Sequence, residues 1–552
     1  MTERIYAGIY VAVTGALALA ALPLLAWVTS GFDATDPRWW QWLWAYFKAT
    51  RQVPPVIQWN VLGVVAGAAL VLALNPFSFR FTEYGGACFA SRSMFRRMGL
   101  TARSGIVLGR VGRRLLVYDR PLSTLLLAPP GAGKTAGVVI PTLLSFRGSV
   151  VVNDPKGEAF DRTAGWRARE GQVYRIEWNN PKGTRWNPLS PLSLPADPAE
   201  LEIAVDRLTA IFIEPTKGMG DSFFEKAARD ALSSIALFHI YEGKRQGDEA
   251  TFARILSWMA VDRAPSGDEE PDDPIAAHYQ RAAGVAEAEQ YPRRIIDGLR
   301  SLANMNYRTR ADVIKTVETG LRVFRNAAVA KATSRSDFDI RALRTGKKPV
   351  SVYIVVPPAN ADVFGAITGA LFELAGQMAV SSQGHPMLFL LDEVPEMPPL
   401  NIVKRGPAIG RGQGVRFVIV AQDNGQLIER YGKEGFDTII TTTAYKVVLT
   451  QNHPDTQAMI SRMIGNTTRR RISRTAQAGN GLLFRRSTSV SLEGVPLVRP
   501  EDLGSMRQGH QYVIAQEFMR HPIRSRSAFY FRIRRFRRRS AIQPPRRPSM
   551  AP

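Results

Sequence analysis

The sequence is poor in the residues that build disulfides and zinc sites. A single cysteine, Cys88, excludes an intrachain disulfide and suits a reducing compartment. Six histidines without any Cys/His cluster give no zinc signature. No internal repeat of solenoid period is present either. These absences exclude a disulfide-stapled secreted fold, a zinc module and a repeat array.

Acidic residues are also scarce relative to basic ones. The chain has 48 Asp and Glu residues against 72 Lys and Arg residues, a formal net charge of +24. Such an excess favours polyanionic partners, either nucleic acid or the inner face of a membrane, although it can also serve solubility alone. With 552 residues, the chain is too long for one core, so we expect two or three folded units.

Two apolar stretches lie near the N-terminus. Ile5–Val28 is uncharged and long enough to cross a hydrocarbon core of about 30 Å, and Val56–Leu74 is a second candidate. Aromatic residues typical of membrane interfaces lie between them: Trp39, Trp40, Trp42, Trp44, Tyr46 and Phe47. Arginines follow the second stretch: Arg80, Arg92, Arg96 and Arg97. The positive-inside rule predicts two transmembrane helices, a short Trp-rich outer loop and cytoplasmic termini. A signal peptide and a buried hairpin are the alternatives.

A glycine-rich turn lies between a predicted buried strand, Ser123–Leu127, and a predicted helix, Ala136–Ser145. Such a turn points backbone N–H groups at an anion and adds the positive end of the helix dipole. A lysine at its end would reach the β- and γ-phosphates, and the next hydroxyl would bind Mg²⁺. An ordinary Gly/Pro turn is the alternative. The predicted nucleotide-binding residues are Ala128, Pro129, Pro130, Gly131, Ala132, Gly133, Lys134 and Thr135.

Two acidic residues end another apolar run, Met387–Leu391. An apolar run of this kind is typical of a central parallel strand, whose C-terminal end opens onto a ligand crevice. There Asp392 can hold Mg²⁺, and Glu393 can polarise an attacking water. Together with Lys134, this pair predicts hydrolysis of a nucleoside triphosphate as well as binding.

Strand and helix patterns alternate on both sides of a helical block, which predicts an α/β fold with a parallel sheet flanked by helices. Extended apolar strands are absent from residues 198–348, so this block is expected to be an inserted all-α domain. The predicted organisation is a transmembrane region (1–80), a nucleotide-binding domain in two parts (81–197 and 349–531), the insertion (198–348) and a basic Arg/Pro-rich tail (532–552), which should not pack.

In order and spacing, these parts resemble the TraG-like coupling proteins of type IV secretion systems. The resemblance covers nearly the whole chain. It includes the anchor, the glycine-rich turn and the segments Asp154–Glu158, Asn187–Leu189, Thr333–Phe338, Leu391–Glu393, Ala421–Leu427 and Tyr431–Gly432. The chain departs from the family pattern at Cys88-Phe89 and at Met397–Pro399, and its tail is basic and short.

The resemblance implies a RecA-like, ATP- and Mg²⁺-dependent motor that assembles as a homo-hexamer at the bacterial inner membrane. Such a motor passes substrates to type IV secretion channel subunits. Gln422 matches a glutamine that senses the γ-phosphate, and Arg411 matches an arginine that reaches a neighbouring subunit's nucleotide. A strand-end amide and a solvated loop arginine are the alternatives for these two residues.

The cargo stays open at this point. Relaxase-bound single-stranded DNA is the leading expectation, and protein effectors such as toxins are the alternative. An FtsK-like pump for double-stranded DNA and a nucleotide-switched membrane scaffold are further alternatives. A basic cluster flanks Gly479–Gly481 and suits sequence-independent phosphate contacts or a merely solvated loop; it comprises Arg469, Arg470, Arg471, Arg474, Arg485 and Arg486.

Overall fold

The structure is a computed structural model that describes residues 13–21, 25, 28, 29, 31, 33, 35–73, 82–214, 223–260, 273–477 and 485–545. The chain divides into two compact units. The smaller unit comprises Met1–Gly86 and Asn466–Val495, and the larger unit comprises Ala87–Gly465 and Pro496–Pro552.

The smaller unit contains helices and a two-stranded ribbon. Its helices are α1 (Pro37–Thr50) and α2 (Pro55–Ala73), and residues 13–21 are also helical. The Trp-rich segment that we expected to be a loop is therefore a helix, which begins because the Asp36 side chain accepts a hydrogen bond from the Arg38 N–H. Much of the first predicted span, Ile5–Val28, lies outside the described residues.

One helix among the described residues is long and apolar enough to cross a membrane, and it is Pro358–Ser381 of the larger unit. Two thirds of its apolar window is buried inside the protein, as in a core helix. Ile57–Val71, within the second predicted span, is apolar but shorter.

Eleven strands of the described chain form one sheet in the larger unit. The strands, numbered along the whole chain, are β1 (Ile106–Val111), β2 (Arg114–Tyr118), β3 (Thr124–Leu127), β4 (Ser149–Asn153), β5 (Gln172–Ile176), β6 (Val350–Ile354), β7 (Met387–Leu391), β8 (Val415–Ala421), β9 (Tyr445–Val448), β10 (Asn466–Gln477) and β11 (Arg485–Pro496) of the ribbon, β12 (His510–Ala515) and β13 (Ile523–Arg526).

The order of the strands in the large sheet is β2-β1-β13-β12-β9-β3-β8-β7-β4-β6-β5. The seven strands from β9 to β5 pair in parallel, and the other four pair antiparallel. This arrangement confirms the α/β class with a large parallel sheet.

The central strands are buried because both faces of the sheet are covered. Successive residues of β3 point to different apolar clusters: Leu125 and Leu127 join one, and Leu126 joins the other. Every residue of β3, β4, β7 and β8 is buried, which explains their continuous apolar sequences. Phe389 and Phe417 stack across β7 and β8, with ring centroids 5.0 Å apart. The core therefore fixes the strand ends at which polar residues follow.

The helices of the larger unit either flank the sheet or lie between β5 and β6. The flanking helices are α3 (Met94–Arg97), α4 (Ile140–Ser145), α5 (Glu158–Glu170), α14 (Ala361–Ser381), α15 (Asn401–Ile409), α16 (Asn424–Thr442), α17 (Pro454–Ile464), α18 (Pro500–Gly504) and α19 (Arg534–Ser540). The helices between β5 and β6 are α6 (Pro198–Phe212), α7 (Phe223–Gln246), α8 (Phe252–Met259), α9 (Pro274–Ala288), α10 (Arg293–Asn304), α11 (Tyr307–Gly320), α12 (Ala327–Ala332) and α13 (Ala342–Thr345).

Residues 311–330 of the helical block do not form one continuous helix. α11 ends at Gly320, a 3-10 turn follows, and α12 begins when the Asn326 side chain accepts a hydrogen bond from the Ala328 N–H. The local cap competes with continuation of the helix, which a periodicity argument does not register.

The basic tail packs, contrary to expectation, at least as far as residue 545. Its Arg-rich run forms α19, in which Phe536 is fully buried. The Arg539 guanidinium lies 4.0 Å from the Trp166 ring centroid and donates to the Leu144 carbonyl. A single apolar anchor and cation–π contacts are enough to hold this run on the protein.

Candidate active site

The glycine-rich turn joins β3 to a helix that starts with a π-helical turn, Thr135–Val139, and continues as α4. Gly131 has φ +77° and Gly133 has φ +85°, conformations that favour glycine. Ala128 is fully buried, and its N–H donates to the Ala421 carbonyl at 3.0 Å, which ties the turn to β8. The backbone N–H groups at this helix N-terminus suit an anion.

Lys134 connects the turn to the acidic end of β7. Its Nζ lies 3.3 Å from Asp392 Oδ1 and donates a hydrogen bond to Glu393 Oε1. The side chains of Lys134 and Asp392 are only 11% and 9% exposed. Glu393 has φ +57°, an uncommon left-handed conformation for a residue other than glycine. The backbone thus turns sharply where the carboxylate faces the lysine.

These residues line one cavity of about 370 Å³, a volume suited to a small-molecule ligand. Eight of the predicted site residues line it: Pro130, Gly131, Gly133, Lys134, Thr135, Asp392, Glu393 and Gln422. Ala128, Pro129 and Ala132 complete the turn without lining the cavity. Arg411 is separate, because it is exposed in the 3-10 turn Gly410–Gln413 before β8, whereas Gln422 follows the other end of that strand.

The end of β4 contributes residues to which sequence reasoning gave no role. Asn153 Nδ2 donates to the Asp392 carbonyl, and Asp154 accepts hydrogen bonds from the Ala159 and Phe160 N–H groups at 3.2 and 2.8 Å. Both residues line the cavity. Burial raises the pKa of Asp154 to about 6, against those hydrogen bonds, and the Asp392 carboxylate adds to the rise. Its position after an apolar strand, like that of Asp392, was the available signal.

Asp392 has the electrostatics of a cation ligand. Burial raises the pKa of Asp392 above its ordinary value, and the nearby Lys134 opposes that rise. Its Oδ1 is buried and accepts no well-oriented hydrogen bond from the described residues. A buried carboxylate oxygen with spare acceptor capacity, on the wall of a cavity that Thr135 also lines, fits a hard divalent cation.

A parallel α/β sheet whose strands end in a glycine-rich turn and a paired carboxylate defines a P-loop type of protein. The family model described as "Type IV secretory system Conjugative DNA transfer" matches residues 92–547. The chain therefore belongs to the type IV secretory system conjugative DNA transfer family.

Curated relatives agree with this membership. The chain is 28% identical over 407 residues to a conjugal transfer protein TraG of Escherichia coli, covering 70% of this chain and 62% of that protein. It is 27% identical over 500 residues to the protein VirD4 of Agrobacterium fabrum, covering 86% and 70%. The chain thus spans 62% of the length of the two Escherichia coli TraG relatives that it matches.

The conjugative coupling protein TrwB shares the fold. Its unbound form superposes with a TM-score of 0.57 at 15% identity, covering 81% of this chain and 96% of that one. TrwB in complex with ADP and Mg²⁺ also gives a TM-score of 0.57 at 15% identity, covering 81% and 97%.

Proposed function

We propose that this chain is the membrane-anchored ATPase that couples substrates to a type IV secretion channel during conjugation. One observation carries the proposal: a glycine-rich turn, a lysine, two carboxylates and a glutamine converge on one cavity at the carboxyl edge of the sheet. Solved TrwB complexes with a non-hydrolysable ATP analogue and with ADP and Mg²⁺ support ATP and Mg²⁺ as the ligands.

Each of these residues would have a separate role in nucleotide hydrolysis. The Gly131–Gly133 backbone and Lys134 would hold the phosphates, and Thr135 and Asp392 would hold Mg²⁺, which neutralises phosphate charge when bound. Glu393 would orient and polarise the attacking water, with Gln422 positioning it near the γ-phosphate.

The test is phosphate release by the full chain with ATP and Mg²⁺. Lys134→Ala should reduce turnover about a thousandfold, because a charge aimed at the phosphates is lost. Lys182→Ala is the matched control, since Lys182 is exposed outside the cavity. Equal turnover in Lys134→Ala and wild type would contradict the proposal.

The proposed assembly is a RecA-like homo-hexamer under a two-helix inner-membrane anchor, with residues 198–348 as an all-α domain. Arg411 is part of this proposal as a residue that acts on the neighbouring subunit's nucleotide, because it lies beyond the far end of β8 from its own cavity. Inactive Arg411→Ala and Lys134→Ala subunits, when mixed, should regain some activity. Well-mixed oligomers without recovery would remove Arg411 from this role.

We propose relaxase-bound single-stranded DNA as the cargo. The net charge of +24 and the exposed Arg469 and Arg471 on β10 support contact with phosphates, although Arg471 also lies 3.8 Å from Glu493. Binding of single-stranded DNA by the full chain should fall linearly with salt on logarithmic axes. Absence of binding at low salt would favour protein effectors instead.

A further inference from the structure

Two C-terminal stretches lie directly against the glycine-rich turn, one just before β12 and one just after β13. Gln508 Nε2 donates to the Gly131 carbonyl at 3.3 Å, and the Ala528 N–H donates to the Gly137 carbonyl at 3.1 Å. These bonds attach residues more than 370 positions away in the sequence to both sides of Lys134. Both stretches therefore border the same site.

The Phe529 ring lies between the glycine-rich turn and the stretch just before β12. A Cβ added at Gly133 would lie 2.9 Å from the ring, and one added at Gly509 would lie at the same distance from another ring atom. Because both glycines also have positive φ, no other residue fits there without displacing Phe529. The ring therefore packs closely against both glycines.

Phe531 and Arg532 extend this surface outward. The Phe529 and Phe531 rings are stacked, with centroids 5.4 Å apart and planes 18° from parallel. The Arg532 guanidinium lies 5.3 Å from the first centroid and 5.8 Å from the second. Phe531 remains 46% exposed. None of the three residues lines the cavity of about 370 Å³, and the contact of Phe529 with Gly133 places them next to the turn that does.

We propose that Phe529, Phe531 and Arg532 form a platform on which the nucleobase of the bound nucleotide stacks. The inference rests on the proposed function, since the glycine-rich turn would hold the phosphates of that same nucleotide. Every base presents a π-face, and aromatic rings and guanidinium groups stack on it without reading its edge. The platform therefore supplies affinity for the base and little discrimination between purines.

The test compares two ligands that share phosphates but differ in the base. ATP and inorganic tripolyphosphate are titrated with Mg²⁺ into the full chain in detergent. Phe531→Ala should weaken ATP binding about tenfold and leave tripolyphosphate binding unchanged. Phe531→Trp should restore ATP affinity. Tyr307→Ala, which truncates an exposed aromatic residue of α11 away from the cavity, is the matched control.

The outcomes separate the two proposals. If the wild type binds neither ligand, the proposed function fails, and the platform fails with it. If the wild type binds both and Phe531→Ala still binds ATP normally, the platform is wrong and the proposed function stands. An equal loss of both ligands, accompanied by a change in oligomeric state, would assign Phe531 to a subunit contact and also overturn the platform. GTP should respond to Phe531→Ala as ATP does.

Discussion

The carboxyl edge of the sheet and the helices between β5 and β6 use charged side chains in opposite ways. At the sheet edge, Lys134 pairs with two carboxylates on the wall of a cavity. Among the helices, Arg310 is 1% exposed, pairs with Asp273 and donates to the carbonyls of Ala303 and Met305. Arg310 thereby provides hydrogen-bond donors for the carbonyl groups at the C-terminal end of α10. The ion pairs of Lys134, in contrast, line a cavity that a ligand can enter.

The difference shows when a buried charge indicates function. A buried charge is costly unless hydrogen bonds compensate it. The two terminal nitrogens of Arg310 are hydrogen-bonded by the chain itself, and only its Nε has no hydrogen bond to the described residues. Asp392 keeps a buried oxygen without a well-oriented hydrogen bond from the described residues. Substitutions at the sheet edge should therefore change chemistry, and substitutions among the helices should change stability.

The largest expected effect is on hydrolysis at the sheet edge. Glu393→Gln should lower the turnover number about a thousandfold, because an amide cannot accept the proton of the attacking water. ATP binding should persist, since Lys134 and the turn are retained. Phosphate release under multiple-turnover conditions and equilibrium ATP binding are the measurements.

Glu396→Gln is the matched control for this change. Glu396 lines the same cavity but has no contact with Lys134 among the described residues. Similar turnover in the two variants would show that the Glu393 carboxylate has no special role. The conclusion that charged residues at the sheet edge act in hydrolysis would then lose its main support.

The second effect is on stability among the helices. Arg310→Met should destabilise the protein by about 3 kcal/mol, because Asp273 and two helix-end carbonyls lose their partner. Hydrogen exchange in α10 and α11 would measure the loss. Arg308→Met, an exposed change on the same helix, should have little effect.

ATP affinity of folded Arg310→Met should match that of the wild type. Reduced affinity without reduced protection of the helices would mean that Arg310 acts on the nucleotide site. That result would break the separation between the two regions.

The sequence was sufficient where local chemistry decides structure. The apolar runs of β3 and β7 predicted central strands, and parallel strands buried on both faces leave polar groups only at the edges. That rule predicted Lys134, Asp392 and Glu393 at one edge, whereas Gln422 was expected from the family resemblance, and all four line one cavity.

Long-range packing was the limit of sequence reasoning. Phe529 lies against Gly133 although nearly 400 residues separate them, and no local pattern places a ring there. The tail was expected to be unpacked because its composition is basic, yet Phe536 anchors α19. The ribbon of β10 and β11 was missed because its polar sequence lacks alternation, and its Gly479–Gly481 connection lies outside the described residues.

The two regions should also respond to acid with opposite signs. Burial lowers the pKa of His239 to about 4, and the ring packs edge-on to Trp258 at 4.9 Å. In the unfolded chain this histidine binds a proton near pH 6.5, so the folded state loses stability as the pH falls from 6.5 toward 4. His239→Phe should remove about 2 kcal/mol of that loss at pH 5.

Hydrogen exchange in α7 at pH 7 and pH 5 would measure this effect. Arg254 lowers the same pKa, Glu242 raises it, and His278, whose own pKa is lowered by burial, titrates nearby. The acid sensitivity should therefore decrease without disappearing. An unchanged difference between the two pH values in His239→Phe would show that the histidine is already protonated in the folded protein.

Asp154 at the sheet edge should give the smallest effect, in the other direction. Its folded pKa of about 6 lies above the unfolded value of 3.8, so the folded state binds the proton more tightly. Stability from this group is present at low pH and is lost as the pH rises through 6. Between pH 7 and pH 5 it amounts to about 1 kcal/mol. Asp154→Asn should remove this gain in stability between pH 7 and pH 5. Hydrogen exchange in α5 of the variant and the wild type would measure the change. An equal gain in both proteins would show that another carboxylate causes it.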